Sequence, residues 1–330
     1  MAERHLVLEG VDDGGAIVVG RARAGLRDVR VLDHDPELPA LRPLLDAPGG
    51  PRLRAHRFGR RAVLHEAGPE GGTWVKLATP AATRAAFAAL HRVDRLLADR
   101  PGRPGLVRVL AADPDAGTLR LAAAPGSDLT TILTSADPVT AGSAGAATGR
   151  ALAVLAGSGT GEGWPEHDLT TEARTLRRWA DDALAFGVLS PAMAGPYDDL
   201  VARTVEELVT LPRRESVPAH RDLHDGQVLL DPRDGGVTFL DVDTAALADP
   251  ALDPANLLAH LDLLALRRPG CGTAVAAAVR GLTATLTGPR SPEHERVLRR
   301  AAQLRILAVH AFRGPVHDLA PFLDGSARRW

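Results

Sequence analysis

Residues 220–261 read HRDLHDGQVLLDPRDGGVTFLDVDTAALADPALDPANLLAHL, and this stretch constrains the chain more than any other. QVLL (227–230) and VTFLD (237–241) are short apolar runs separated by the turn-forming DPRDGG, which predicts a β-hairpin. Asp222 lies in the polar loop before the hairpin and Asp241 closes it. A tight turn brings the ends of a hairpin together, so the two carboxylates are expected near one another, with the amide of Gln227 beside them. Phosphoryl transfer requires a group to orient the attacking hydroxyl and metal ions to neutralise the phosphates. Magnesium takes oxygen ligands and commonly uses only one or two carboxylates. Asp222, Gln227 and Asp241 supply such a set. The plain alternative is a helix–hairpin–helix whose acids serve only its turns and caps.

The flanking sequence falls into two parts. Over residues 1–123, LVLEG, AIVVG, DVRVL, AVLHE, TWVKLA and TLRLAA are short Val- and Leu-rich runs between Gly, Asp and Pro clusters, as in strands. One helix, ATRAAFAALHRVDRLLAD, interrupts them, with Phe87, Leu90 and Val93 at helical spacing. Residues 124–330 change character. Asp137-Pro138 reads as an N-cap followed by Pro at the first helical position, in a helix that Gly157 can end. Further helices are expected near 171–186 and 192–211. Asp253-Pro254 reads as another cap, and Val297, Ala301, Leu304 and Ala308 line one face of a late helix. The expected fold class is α+β, with a strand-rich part at 1–123 and a mainly helical part at 124–330 carrying the hairpin. A ligand is expected in a cleft where two such parts meet.

His220-Arg221-Asp222-Leu223, with an amide five residues after the Asp, resembles the catalytic loop of the protein-kinase-like superfamily. The continuation through His224, the Val-Leu-Leu-Asp strand, Leu240-Asp241 and Asp249-Pro250-x-x-Asp253 resembles the aminoglycoside phosphotransferase and choline kinase branch. The match covers about 42 residues. The resemblance implies a two-lobed kinase-like fold that uses ATP and Mg2+ to phosphorylate a hydroxyl. It implies that Asp222 orients that hydroxyl and accepts its proton, that Asp241 and Gln227 hold magnesium, and that Asp253 is structural. It makes 1–123 a nucleotide-binding N-lobe and 124–330 a C-lobe with the catalytic loop, metal site and acceptor helices. It also implies that the connector TLRLAAAPGSDL is the hinge, with Ala122, Ala123 and Ala124 at the adenine.

Lys76 supports this independently. The chain has 39 basic residues, of which only Lys76 is a lysine. A charged residue within an apolar strand is rare unless it is paired, and a compact ammonium suits phosphate oxygens as a point charge. The resemblance places the ATP-binding lysine on such a strand. An outward-facing strand lysine is the alternative.

Three features depart from the family pattern. Gln227 stands where Asn is usual. No Gly-rich phosphate loop is visible: HRFGRR (56–61) has one Gly, and Arg57, Arg60 or Arg61 are the substitutes on offer. The helix after Lys76 has no Glu, and Asp94 is its acidic candidate. His220, His224 and His260 read as loop-bracing or core residues rather than a zinc set, because 220–224 is loop. Asp225 and Asp243 read as solvated loop acids. Asp181, Asp182, Asp198 and Asp199 suit either an amine-bearing acceptor or an ordinary charged helix face.

Composition excludes other classes. A net charge of −2 gives no general pull toward nucleic acid or an anionic membrane. One cysteine, Cys271, excludes an internal disulfide framework. MAERHLVLEG lacks the long apolar run of a secretory signal, and no apolar stretch is long enough for a span, so the cytoplasm is expected. The expected partner is a small hydroxyl acceptor such as a sugar, amino alcohol or aminoglycoside. A peptide Ser/Thr acceptor, or a nucleotide-binding pseudokinase acting on a partner, would carry the same motif.

Overall fold

The computed structural model describes residues 6–11, 17–23, 26–31, 35–159, 163–288 and 291–324. It divides into two compact units. One comprises the described residues up to His91 together with Val107–Pro125, and the other Arg92–Leu106 and the described residues from Gly126 onward.

The first unit opens with an antiparallel meander of β1 (Leu6–Val11), β2 (Ile17–Arg23) and β3 (Leu26–Val31). After α1 (Leu41–Asp46) come β4 (Arg52–Arg57), β5 (Arg61–Glu66) and β6 (Thr73–Ala78), and then α2 (Pro80–Leu97), whose last turns fall in the second unit. The strand β7 (Gly105–Leu106) belongs to the second unit, and β8 (Val109–Asp113) and β9 (Thr118–Ala122) return to the first. A five-stranded sheet in the order β4-β5-β6-β9-β8 results, antiparallel throughout. Alternation puts Val75 and Leu77 on the face that buries Ala62, Leu64, Leu38 and Leu41.

The second unit continues with β10 (Ser127–Asp128), α3 (Leu129–Ser135), α4 (Pro138–Ala156), β11 (Glu166–His167), α5 (Leu169–Ala185) and α6 (Pro191–Thr210). Then follow β12 (Val217–Ala219), the hairpin β13 (Val228–Leu230) and β14 (Val237–Phe239), and β15 (Ala246–Ala248). The helices α7 (Leu252–Arg267), α8 (Gly272–Thr285), α9 (Pro292–Ala311) and α10 (Pro321–Asp324) complete it. Asp137 caps α4 as expected, accepting from the amides of Val139 and Thr140. The core gathers α5, α6, α7 and α9 around Tyr197, whose hydroxyl donates to the Leu304 carbonyl at 3.2 Å. With few aromatic residues to fill space, α4 and α8 instead close on small residues. A Cβ on Gly145 would lie 2.0 Å from the Ala278 carbonyl oxygen, so only glycine permits this approach. Among the described residues, no helix is long and apolar enough to cross a membrane.

Candidate active site

The helix α7 starts at Leu252, with Ala251 as its N-cap. Asp253 therefore lies inside the first turn, and the expected Asp253-Pro254 cap is corrected. Its carboxylate instead accepts from the amides of His220 at 2.6 Å and Arg221 at 2.7 Å. The reason is physical: those two amides are in an irregular buried loop with no ladder to join, and buried N–H groups need acceptors. Burial pushes the Asp253 carboxyl above its ordinary value, and His220, the two amides and Arg221 oppose that shift.

Among the described residues, only two other than glycine have positive φ: Arg221 at 72° and Asp241 at 58°. Left-handed backbone costs an L-residue about 1–2 kcal/mol, and such conformations concentrate at functional sites. One of these residues precedes Asp222 and the other is Asp241 itself.

The hairpin brings these positions together. His220, fully buried, points Nε2 at the Leu240 carbonyl 2.6 Å away, so that nitrogen carries the proton. Leu240 in turn donates its amide to the Gln227 carbonyl at 2.9 Å. The Thr244 hydroxyl donates to the His220 carbonyl at 3.0 Å, and Nη1 of Arg221 donates to the Thr244 carbonyl at 3.1 Å. Burial lowers the pKa of His224, and the carboxylates of Asp225, Asp222 and Asp241 all act on its imidazole in the opposite sense. Asp222 is exposed. Asp225 instead accepts from the Thr130 hydroxyl at 2.5 Å. The His224 and His260 rings stand 5.1 Å apart at 36°.

Gln227 is 6 % exposed, and its side-chain oxygen is buried without a hydrogen-bond partner. An unpaired buried amide oxygen costs about 1–3 kcal/mol and needs an explanation. It is the kind of ligand a hard cation accepts beside a carboxylate such as Asp241. Among the described residues, no three His, Cys, Asp or Glu side chains are grouped to hold a metal by themselves.

In the first unit, Lys76 sits mid-way along β6, half-buried, on the face opposite Val75 and Leu77 and in register with Val63 and Leu119. Asp94 is exposed and 3.6 Å from Arg103. The β4–β5 turn is held from beneath by Asp35, a buried carboxylate that accepts from the Gly59 amide at 2.8 Å and from His56 Nε2 at 2.9 Å. Around this turn Arg57, Arg60 and Arg61 are exposed. Ala122 donates its amide to the Arg108 carbonyl and Ala123 to the Gly72 carbonyl, so both amides are already engaged. The acidic helix face is bridged by Arg177, which donates to Asp181 at 2.7 Å and Asp198 at 2.9 Å.

The sequence reading missed Asp35 and Thr244, and it missed what Asp253 binds. No pattern signals the first two. The third was legible only as an acid near a helix start.

Residues 52–297 match the phosphotransferase enzyme family. The chain belongs to that family. A search of curated proteins finds no match. Solved structures with the same fold include the aminoglycoside phosphotransferase APH(3'')-Id from Streptomyces rimosus, at 20 % identity and a TM-score of 0.57, covering 81 % of this chain and 97 % of that one. A choline/ethanolamine kinase family protein from Mesorhizobium loti aligns at 18 % identity and a TM-score of 0.53, covering 88 % and 89 %. A glucosamine kinase aligns at 19 % and 0.51, covering 98 % and 90 %. The phosphotransferase family and these neighbours carry the protein-kinase-like α+β fold, with a strand-rich N-terminal part and a mostly helical C-terminal part, and the chain is an enzyme of the kinase type.

Proposed function

We propose that this phosphotransferase moves the γ-phosphoryl group of ATP to a hydroxyl of a small molecule, with magnesium bound. The observation that carries the reading is the orphaned amide oxygen of Gln227, whose backbone is hydrogen-bonded to Leu240, the residue just before Asp241. Asp222, exposed at the end of a braced loop, would orient the acceptor hydroxyl and take its proton. Asp241 and Gln227 would hold the metal, which when bound neutralises charge on the phosphates. Lys76 would contact phosphate oxygens from β6. With the amides of Ala122 and Ala123 engaged, the adenine would be met by carbonyls of 122–124 or by the Ala124 amide. Residues 1–123 would act as the nucleotide-binding lobe and 124–330 as the lobe carrying catalysis and acceptor binding.

Ligands in related structures support the nucleotide and the acceptor class. The Streptomyces rimosus enzyme was solved with ADP and streptomycin, the amicoumacin kinase hAmiN with AMP-PNP, Ca2+ and Ami, and the glucosamine kinase with glucosamine, ADP and inorganic phosphate. Of the acids suited to an amine-bearing acceptor, Asp181 and Asp198 are already paired with Arg177.

Thermal unfolding with and without AMP-PNP and Mg2+, beside Asp241→Ala, tests the reading. A ligand that binds only the folded state raises the midpoint. A metal-dependent rise that Asp241→Ala abolishes is expected. No rise in the wild type at large ligand excess would overturn the proposal.

A further inference from the structure

Asn256 is the only asparagine among 330 residues. It is 2 % exposed and lies on α7 one turn beyond Asp253, on the same side of the helix. Its Nδ2 donates to the Arg221 carbonyl at 2.7 Å, and its Oδ1 accepts from Nη2 of Arg305, on α9, at 2.5 Å. The chemistry fixes the amide's orientation, because a guanidinium only donates and a peptide carbonyl only accepts.

Few side chains can stand between those two groups. Asp would satisfy Arg305 but turn an oxygen toward the Arg221 carbonyl. Leu would leave both unpaired in the interior. This gives a physical reason for one asparagine to persist in a chain that uses none elsewhere. Arg305 is itself set among charges: burial pushes the Glu172 carboxyl up, yet Arg305, His167 and Arg221 together hold it below its ordinary value.

The Arg221 carbonyl belongs to the peptide whose nitrogen is that of Asp222. A peptide unit is planar, so holding that oxygen fixes the plane from which Asp222 departs. Asp253 grips the other end of Arg221 through its amide. We propose that Asn256 is a positioning residue that sets the orientation of Asp222 by holding the Arg221–Asp222 peptide, with Arg305 holding the Asn256 amide. The inference rests on Asp222 being the group that orients the nucleophile.

Two readouts test it in the full chain. The first is hydrogen exchange over residues 220–223. Asn256→Asp should speed exchange there by about tenfold, the worth of one lost buried hydrogen bond, and Asn256→Gln, which keeps both donor and acceptor, should speed it less. The second is Mg-ATP hydrolysis with water as the acceptor, in a cycle of Asn256→Asp, Asp222→Asn and the double variant. A residue acting through Asp222 gives a non-additive cycle: Asn256→Asp should cut turnover about tenfold alone and have little effect once Asp222 is Asn. The AMP-PNP–Mg2+ midpoint shift should be unchanged in Asn256→Asp. Unchanged exchange at 220–223, or an equal loss in both backgrounds, would overturn the positioning role. Full turnover in Asp222→Asn would overturn the reading of Asp222 instead, and exchange would still decide whether Asn256 holds the peptide.

Discussion

His220 and Leu240 are joined by a 2.6 Å hydrogen bond from imidazole to carbonyl, which ties the residue two before Asp222 to the residue just before Asp241. One ring therefore ties together the two chain segments that carry the acids. His220→Phe should keep the edge-on packing against Phe239 seen at 6.1 Å while leaving the Leu240 carbonyl unpaired. Loss of about 1–3 kcal/mol in denaturant unfolding is expected, with phosphoryl transfer reduced more than AMP-PNP binding. A variant with wild-type transfer would show that the bond serves stability alone.

Gln227 should separate stability from metal binding. Gln227→Leu removes a buried oxygen that has no partner in the free protein, so the ligand-free protein should unfold at an equal or higher temperature. The same change should abolish the Mg2+-dependent part of the AMP-PNP shift. Gln227→Asn should keep that shift. If Gln227→Leu destabilises the free protein and leaves the shift intact, Gln227 is a packing residue.

The glycine seam between α4 and α8 makes a prediction about stability without chemistry. Gly145→Ala forces its Cβ against the Ala278 carbonyl, so the helices must part. A cost of about 1–3 kcal/mol is expected, read as a lower unfolding midpoint, with the nucleotide-dependent rise retained. An unchanged midpoint would mean that α8 can shift freely.

His310 should make the protein acid-sensitive well above the carboxylate range. Burial, then Arg267 and Arg313, push its pKa down from 6.5 to about 4. Arg267 donates to its Nδ1 at 3.0 Å, which requires that nitrogen to be bare. The unfolded chain takes up this proton near pH 6.5 and the folded chain only near 4, so stability is lost as pH falls between the two. The unfolding midpoint should decline over that window, and His310→Gln should flatten the decline. An identical decline in the variant would assign the effect elsewhere.

Much of the fold was legible because it rests on local signals. The Asp137-Pro138 start of α4, the turn between β13 and β14 and the alternation around Lys76 each express short-range physics. The family motif placed Asp222, Gln227 and Asp241 in one stretch of chain. What was not legible depends on contacts distant in sequence. Asp253 looked like a cap because it adjoins a helix start, yet its partners lie 33 and 32 residues away. Asp35 is one acid among many until the fold sets it under Gly59. The left-handed backbone at Arg221 and Asp241 leaves no mark in residue type, since neither is glycine.

Asp35 also shows that the sheet's interior reaches beyond the stretch that matches the family. The family match begins at residue 52, but Leu38 and Leu41 fill the core of the five-stranded sheet and Asp35 anchors its first turn. A gene fragment trimmed to the matched boundary would encode the recognisable enzyme while discarding the wedge that closes one side of its sheet. The residues before the matched boundary thus belong to the interior of the sheet, and a domain cut at residue 52 would open that core to water.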